Sequence, residues 1–311
     1  MLRGHLSEGR SAPRMLTATV AAVLAAAGVA AAMGKVAPNA RTTVRQTVPV
    51  GVYTRVNVSN AGGSIVVTGV QGASSISVIA TKIVWGRTPG RARRAMADLA
   101  IALNPRGDML EIRPEHPEGW DRTYEVEYLI AVPASFRVEA VSASGVVQIR
   151  DVREVDVTTT EGGVLLSGVP TATVHTVSGV VEADSTTGPL DITTVSGPVR
   201  LRFLGRALSV HVVTTTGDVL ASVPPDLNAD LSASTATGLV AVDGLTLRDA
   251  RQGTSGTRGV AGNGGVPFEV TTASGSITVT ARTGAFARTL RPVTSQASTT
   301  SGAAATQSQQ Q

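Results

Sequence analysis

Residues 155–202 read VDVTTTEGGVLLSGVPTATVHTVSGVVEADSTTGPLDITTVSGPVRLR, and glycines at 162, 179 and 197 each stand in the same company. The shared unit is apolar-x-apolar-x-(Ser/Thr/Asn)-x-x-Gly-x-apolar-x-apolar. Working outward from these three, the unit occurs eight times, around Gly63, Gly145, Gly162, Gly179, Gly197, Gly217, Gly238 and Gly275. From Gly145 to Gly238 the steps are 17, 17, 18, 20 and 21 residues. The positions seven and five before each glycine, and two and four after it, make 32 sites, and all are apolar in a chain that is 42% hydrophobic. Alternation with period two over short runs means strands with one buried face, and the β-branched excess suits a pleated surface. Three residues before each glycine stands Asn60, Ser142, Thr159, Thr176, Thr194, Thr214, Thr235 or Thr272, whose side chain can bond the backbone of a bend. A second turn follows six residues after the glycine, with Gly69, Asp151, Gly168, Ser185 and Gly244 there.

A strand-turn-strand unit of this length that closes on itself can stack on its copies at about 4.8 Å per layer, so eight layers give a rod of roughly 38 Å. The fold class expected is all-β, a β-solenoid. An antiparallel meander or sandwich with each Ser/Thr-x-x-Gly as a hairpin turn is the competing architecture. Near-constant unit length and the recurrent hydroxyl favour stacking, because a meander demands neither. A stacked rod has open ends, so some element should cap it.

Composition agrees with an aliphatic layered core. Aromatics are 3% and charged residues 16% of 311 residues, against the Glu- and Lys-rich make-up of helical bundles. The absence of cysteine excludes disulfides, thiolate metal sites and a cysteine nucleophile. The net charge is +4, but all 27 cations except Lys35 and Lys82 are arginines scattered along the chain, which reads as a solvated surface and not a nucleic-acid footprint.

The ends differ from the body. Arg3, Arg10 and Arg14 precede the uncharged stretch Met15 to Gly34, with an A-x-A pattern at Ala30 and Ala32: an export signal or an N-terminal membrane anchor. The tail TSQASTTSGAAATQSQQQ has no hydrophobic periodicity and reads as a low-complexity segment. The expected organisation is a leader at 1–34, a linker at 35–48, a repeat domain at 49–285 with an insert at 82–133, and a disordered tail at 286–311. Within the insert, Arg91 to Leu103 reads as an amphipathic helix opened by Thr88-Pro89-Gly90 and stopped by Asn104-Pro105, with Met96, Leu99 and Leu103 on one face. Met109 to Arg113 and Tyr124 to Val132 alternate as strands, and this insert is the expected cap. Arg248 to Val266 reads as a flexible glycine-rich loop with room for one degenerate turn.

The leader, the first GGSIVV unit, an insert ending in YEVEYLIAVP, the run SGVVQI, GGVLLSGV, VSGVVEA, VSGPVRL and TTGDVLA, and a final GNGGVPFEVTTASGSITVTA together resemble the bacterial β-strand-repeat family of candidate adhesins. The likeness spans about Pro49 to Ala281 and rests on the order of insert and terminal glycine-rich loop more than on any one repeat. It implies an extracytoplasmic, solenoid-like domain with no established catalytic residues. The units around Gly217 and Gly238 are longer than their neighbours and depart from the pattern.

Chemistry-bearing residues are few. His5 lies in the leader, His116 in a loop, and His175 and His211 at outward positions, with no metal-binding spacing between them. No cofactor is expected. Glu182, Asp184 and Asp191, with Arg200, Arg202 and Arg206 nearby, are the candidates for acid/base work on a polysaccharide, which requires two carboxylates to converge within about 5–10 Å. The arginines Arg200, Arg202 and Arg206 are the candidate binding residues for an anionic glycan or lipid. Glu125 and Glu127 share one strand face without evident partners. Arg106-Gly107-Asp108, the tripeptide associated with attachment, falls between a helix and a strand as a turn would. These features favour a non-enzymatic envelope or surface protein that binds a glycan or protein partner, with a structural envelope component and a polysaccharide-active enzyme as the alternatives.

Overall fold

The computed structural model describes residues 40–120, 122–205 and 209–282, which hold 23 strands and one helix. The leader, the tail from 286 onward and Arg206 lie outside the described residues.

Each repeat unit contributes two strands. The first four units are Arg55–Asn60 with Ile65–Val70, Arg137–Ser144 with Val147–Arg150, Glu154–Glu161 with Val164–Ser167, and Thr171–Ser178 with Val181–Thr186. The last four are Leu190–Ser196 with Val199–Phe203, Val210–Thr216 with Val219–Val223, Ala229–Thr237 with Val240–Asp243, and Pro267–Ser274 with Ile277–Ala281. Between repeat units, first strands pair with first strands and second with second, parallel and in register, so that Val138, Val155, Ala172, Leu190, Val210 and Phe268 line one row. The result is two facing sheets, a front sheet of 11 strands built on the second strands and a back sheet of 12 built on the first. The stack is therefore a two-sheet β-solenoid, and the meander is excluded by the parallel pairing.

Of the 32 apolar sites, all but Val240 and Val242 are buried. The eight glycines form a column at one corner, each with φ between +101° and +151°. Every one of them backs onto the backbone of the next layer, leaving no room for a Cβ. The hydroxyls beside them are buried and turned inward on the bend: Thr176 Oγ1 donates to the Ser178 carbonyl at 3.3 Å, Thr194 Oγ1 to Ser196 at 3.3 Å, and Ser142 Oγ to Ser144 at 3.0 Å. Asn60 plays the same part with its amide, donating to the Val126 carbonyl at 2.7 Å. A second set sits outside, where Ser178 Oγ reaches the Thr160 carbonyl and Ser196 Oγ the Val177 carbonyl of the preceding layer.

Chain order and spatial order part company at the far end. The last unit, Pro267–Ser274 with Ile277–Ala281, inserts between the sixth and the seventh. Core volume explains the exchange: the last unit brings Phe268, Val270, Ile277 and Val279, all fully buried, whereas the seventh offers Leu231, Ala233 and two half-buried valines. The more apolar layer occupies the interior and the Ala/Ser-rich one the end. Residues 248–266 are not the loop expected from their glycines. Leu247–Gln252 and Gly256–Ala261 form an antiparallel hairpin that extends the back sheet beyond the seventh unit.

The insert does cap the other end, by adding a ninth layer. Met109–Glu115 pairs parallel with Arg55–Asn60, and Tyr124–Pro133 with Ile65–Val70, so Leu110, Ile112, Tyr128 and Ile130 continue the four core rows, with Val126 in place of glycine at the corner behind Gly63. The helix is shorter than its sequence pattern suggests. It runs Pro89–Asp98, with Thr88 as N-cap, and Ala100–Arg106 becomes a strand paired with Met109–Glu115. Pairing with that strand overrides helical propensity, and Pro105 is tolerated because this is the edge of the back sheet. Lys82, buried in strand Ser75–Val84, donates its ammonium to the Met96 and Leu99 carbonyls and closes the helix C-terminus. Burial pulls the Lys82 pKa down. Residues 40–48, expected as linker, belong to strand Ala40–Pro49, which pairs antiparallel with Ser75–Val84 over ten residues.

Tyr128 is fully buried and its hydroxyl has no hydrogen-bond partner, while desolvation pushes its pKa up. An unmet buried hydroxyl is a net cost. Tyr128→Phe is therefore expected to raise stability by about 1 kcal/mol, read as a higher chemical-denaturation midpoint with unchanged slope.

Candidate functional site

With the column between the sheets filled, binding chemistry falls to the two outer faces. Alternation places every second residue of each strand outward, and in-register stacking turns those residues into rows across neighbouring strands.

The back face is polar. Its central row runs Glu139, Asp156, Thr173, Asp191, His211 and Glu269. Arg137 spans three of the carboxylates here, at 3.3 Å from Glu139, 3.0 Å from Glu154 and 3.4 Å from Asp156. His211 Nδ1 lies 3.5 Å from Glu269, and His175 opposes Thr193 on the same face.

The front face is different. Its central row runs Ile79, Leu129, Val66, Gln148, Leu165, Glu182, Arg200 and Leu220, each directly opposite the next. The aliphatic members are half-buried by their neighbours except Leu220, which is 39% exposed. Beside them runs a small and polar row containing Thr68, Arg150, Ser167, Asp184, Arg202 and Ser222. This is a flat, mostly aliphatic strip with a hydroxyl-bearing border.

The structure separates the sequence candidates. Arg200 and Arg202 both lie on the front face, each answering a carboxylate one layer below: Arg200 Nη1 is 3.0 Å from Glu182 and Arg202 Nη1 is 3.3 Å from Asp184. Asp191 is on the back face, with the whole core between it and Glu182 and Asp184. The three carboxylates do not converge, and the two on the front face are in ion pairs. Such exposed pairs contribute at most about 1 kcal/mol each, so the arginines remain exchangeable with an anionic ligand. Among the described residues no group of three His, Asp or Glu side chains is placed to hold a metal ion.

Glu127, which has no evident partner in the sequence, holds Arg41 at 2.6 Å; the partner comes from the strand that was expected to be linker. Arg106-Gly107-Asp108 forms a hairpin turn, and its exposed acid is already engaged by neighbouring side chains. Asp108 accepts from Thr54 Oγ1 at 2.6 Å and from Arg55 Nη2 at 3.1 Å. The Thr54 hydroxyl and the Arg55 guanidinium hold this carboxyl below its ordinary pKa. Arg106 is engaged by Glu111 at 2.9 Å.

Sequence reasoning missed two features. The front strip was hidden because runs such as VVTGV, VLLS and YLIAVP are apolar on both faces, and only the inward set fitted the unit. The other is a ring cluster at the capped end, where His116 stacks on Trp120 with centroids 4.9 Å apart and Tyr124 closes the group at 5.2 Å from Trp120. Among the described residues no helix is long and apolar enough to cross a membrane.

Comparison with solved structures finds similar chains. A candidate adhesin from Bacteroides fragilis aligns with TM-score 0.40 and 9% identity over 78% of this chain and 97% of its own. A candidate cell-adhesion protein from Clostridium sporogenes aligns with TM-score 0.34 and 10% identity over 78% and 100%. A candidate lipid-binding protein from Parabacteroides distasonis gives 0.37 and 9% over 78% and 97%. No curated protein matches. The Toastrack DUF4097 family model matches residues 31–280, the whole stack with its capping insert, and the chain belongs to that family.

Proposed function

We propose that this chain is a non-enzymatic, extracytoplasmic binding platform of the cell envelope, and that its working surface is the outer face of the front sheet. The observation that carries this reading is the in-register row from Ile79 to Leu220, aliphatic at five of its eight positions, with the Glu182–Arg200 pair inside it and hydroxyls and the Asp184–Arg202 pair alongside. A rigid, repetitive face of this kind suits an extended partner, a glycan chain or a surface protein, held by many weak contacts instead of one deep pocket. The charged leader followed by Met15 to Gly34 supports export or membrane attachment. The ion pairs that engage Glu182 and Asp184, with Asp191 on the opposite face, speak against the glycan-cleaving alternative.

The test is binding of the purified protein to arrayed envelope glycans and purified surface proteins, with Leu165→Asp and Arg200→Glu on the front face and Thr173→Asp on the back. A partner is expected whose affinity falls at least about tenfold, ~1.4 kcal/mol, with either front-face change and is unaltered by the third. Binding that is lost with Thr173→Asp and indifferent to the other two, or no binding to any envelope component, overturns the proposal.

A further inference from the structure

Two sheets with two ends leave four free edges, and a free edge is a template for another strand. Three of the four carry a device against such pairing. Ala100–Arg106, at the capped end of the back sheet, contains Pro105 and ends in Arg106. Val240–Asp243, at the far end of the front sheet, is only four residues long. Leu247–Gln252, at the far end of the back sheet, breaks register between Arg248 and Arg251 and holds Asp249 at φ +50°.

The fourth edge carries none of these. Ala40–Pro49 is ten residues long, pairs with Ser75–Val84 without a bulge, and has its proline only at the last position. Its outer side faces no strand among the described residues. Of its two charges, Arg41 is drawn back across the sheet to Glu127 at 2.6 Å, which leaves Arg45 alone.

We infer that this edge is a homotypic interface, where a second copy of the chain adds antiparallel to Ala40–Pro49 about a twofold axis at Val44 and joins the two front sheets into one. The sequence of the strand selects the partner and the register. Val44, Val48, Ala40, Thr42 and Gln46 face the core side, while Arg41, Thr43, Arg45 and Thr47 face outward. Sheets that continue with a common core side must oppose like-facing residues, so the axis passes through a residue and not between two. Centred on Val44, the core side pairs Val44 with Val44, Ala40 with Val48 and Thr42 with Gln46. The outer side then pairs Arg41 with Thr47 and Thr43 with Arg45. Apolar meets apolar, polar meets polar, and no like charges are opposed. Centred on Arg45, the same edge would set two guanidiniums face to face and waste the apolar matches. An unrelated extended peptide gains the backbone bonds but not this self-matching pattern.

The absence of native cysteine makes the register directly readable. Directly opposed residues in an antiparallel pair have Cα atoms about 4.5–5.5 Å apart, within disulfide range. Sedimentation equilibrium of the full chain is expected to give twice the mass of the same chain in denaturant. Under mild oxidation Val44→Cys is expected to convert to a disulfide-linked dimer, and Arg45→Cys to remain largely unlinked. Val44→Lys, which opposes two ammoniums at the axis, is expected to halve the mass with an unchanged far-UV circular dichroism spectrum. A monomer for the unsubstituted chain, a dimer that survives Val44→Lys, or Arg45→Cys linking as readily as Val44→Cys overturns the inference.

Discussion

Replacing Gly162 with alanine is expected to cost more than about 4 kcal/mol and to leave little folded protein, whereas Gly163→Ala, one residue on, is expected to cost less than about 1 kcal/mol. The two glycines differ in surroundings and not in chemistry. Gly162 has φ +125° and its added Cβ would fall on the carbonyl of Gly145 in the layer below. The strain of a side chain at that positive φ alone is about 1–3 kcal/mol, and the obstruction is backbone, which cannot swing aside. Relieving it means separating two layers whose strands are bonded on both sheets. An added Cβ on Gly163 would meet the Val180 carbonyl at 3.6 Å, an ordinary contact. Denaturant titration of the two variants side by side checks the contrast. Equal tolerance would mean that the glycine column is a sequence habit without steric necessity.

Phe268→Ala is expected to destabilise by about 3–5 kcal/mol, and the distribution of the damage matters as much as its size. Phe268 is fully buried and meets Phe203 edge-on at 5.7 Å. It stands in the last unit by sequence, yet that unit lies between the sixth and seventh. Loss of the ring should therefore loosen neighbours on both sides. Amide exchange is expected to accelerate in Val210–Thr216 and in Ala229–Thr237 together, and to stay slow in Arg137–Ser144. If the units were stacked in chain order, only one neighbour would respond.

The core was legible because it obeys one local rule. In each repeat unit the residues facing the column are apolar, the corner is glycine and a hydroxyl or amide stands three residues before it, bonded to the bend in most units; each feature recurs at a fixed offset, so eight imperfect copies reinforce one another. Val240 and Val242 fit the pattern and are only half-buried, because nothing in the unit itself says that it ends the stack. The interchange of the last two units is a comparison between layers, Phe268 and Ile277 against Ala233 and Val240, and no single unit contains it. Ala100–Arg106 and Ala40–Pro49 were misread for a related reason. Their strand state comes from the partners Met109–Glu115 and Ser75–Val84, distant enough in sequence or weak enough in propensity to leave no local mark. Tyr124–Pro133 and Met109–Glu115 showed their alternation but not their stacking, since the ninth layer lacks the glycine that flags the others.

The candidate site was less legible than the fold. Arg200 and Arg202 were found as a charge run, but their ion pairs with Glu182 and Asp184 depend on an 18-residue offset that only the register supplies. Asp191, close to both acids in sequence, is carried to the opposite face by the turn before Leu190. The aliphatic strip was invisible because a single outward Ile79, Leu129, Val66, Leu165 or Leu220 is ordinary in its own strand until the register aligns the five.

The central claim is that the glycine-centred units lie parallel and in register around a dry aliphatic column, with the last unit inside the stack. Methyl-labelled nuclear Overhauser spectroscopy tests it most directly. The account predicts an unbroken chain of contacts from Val157 to Val174, Ile192, Val212, Val270 and Ala233, in that order. A direct contact between Val212 and Ala233 that bypasses Val270, or methyl groups of this row exchanging magnetisation with water, would contradict it.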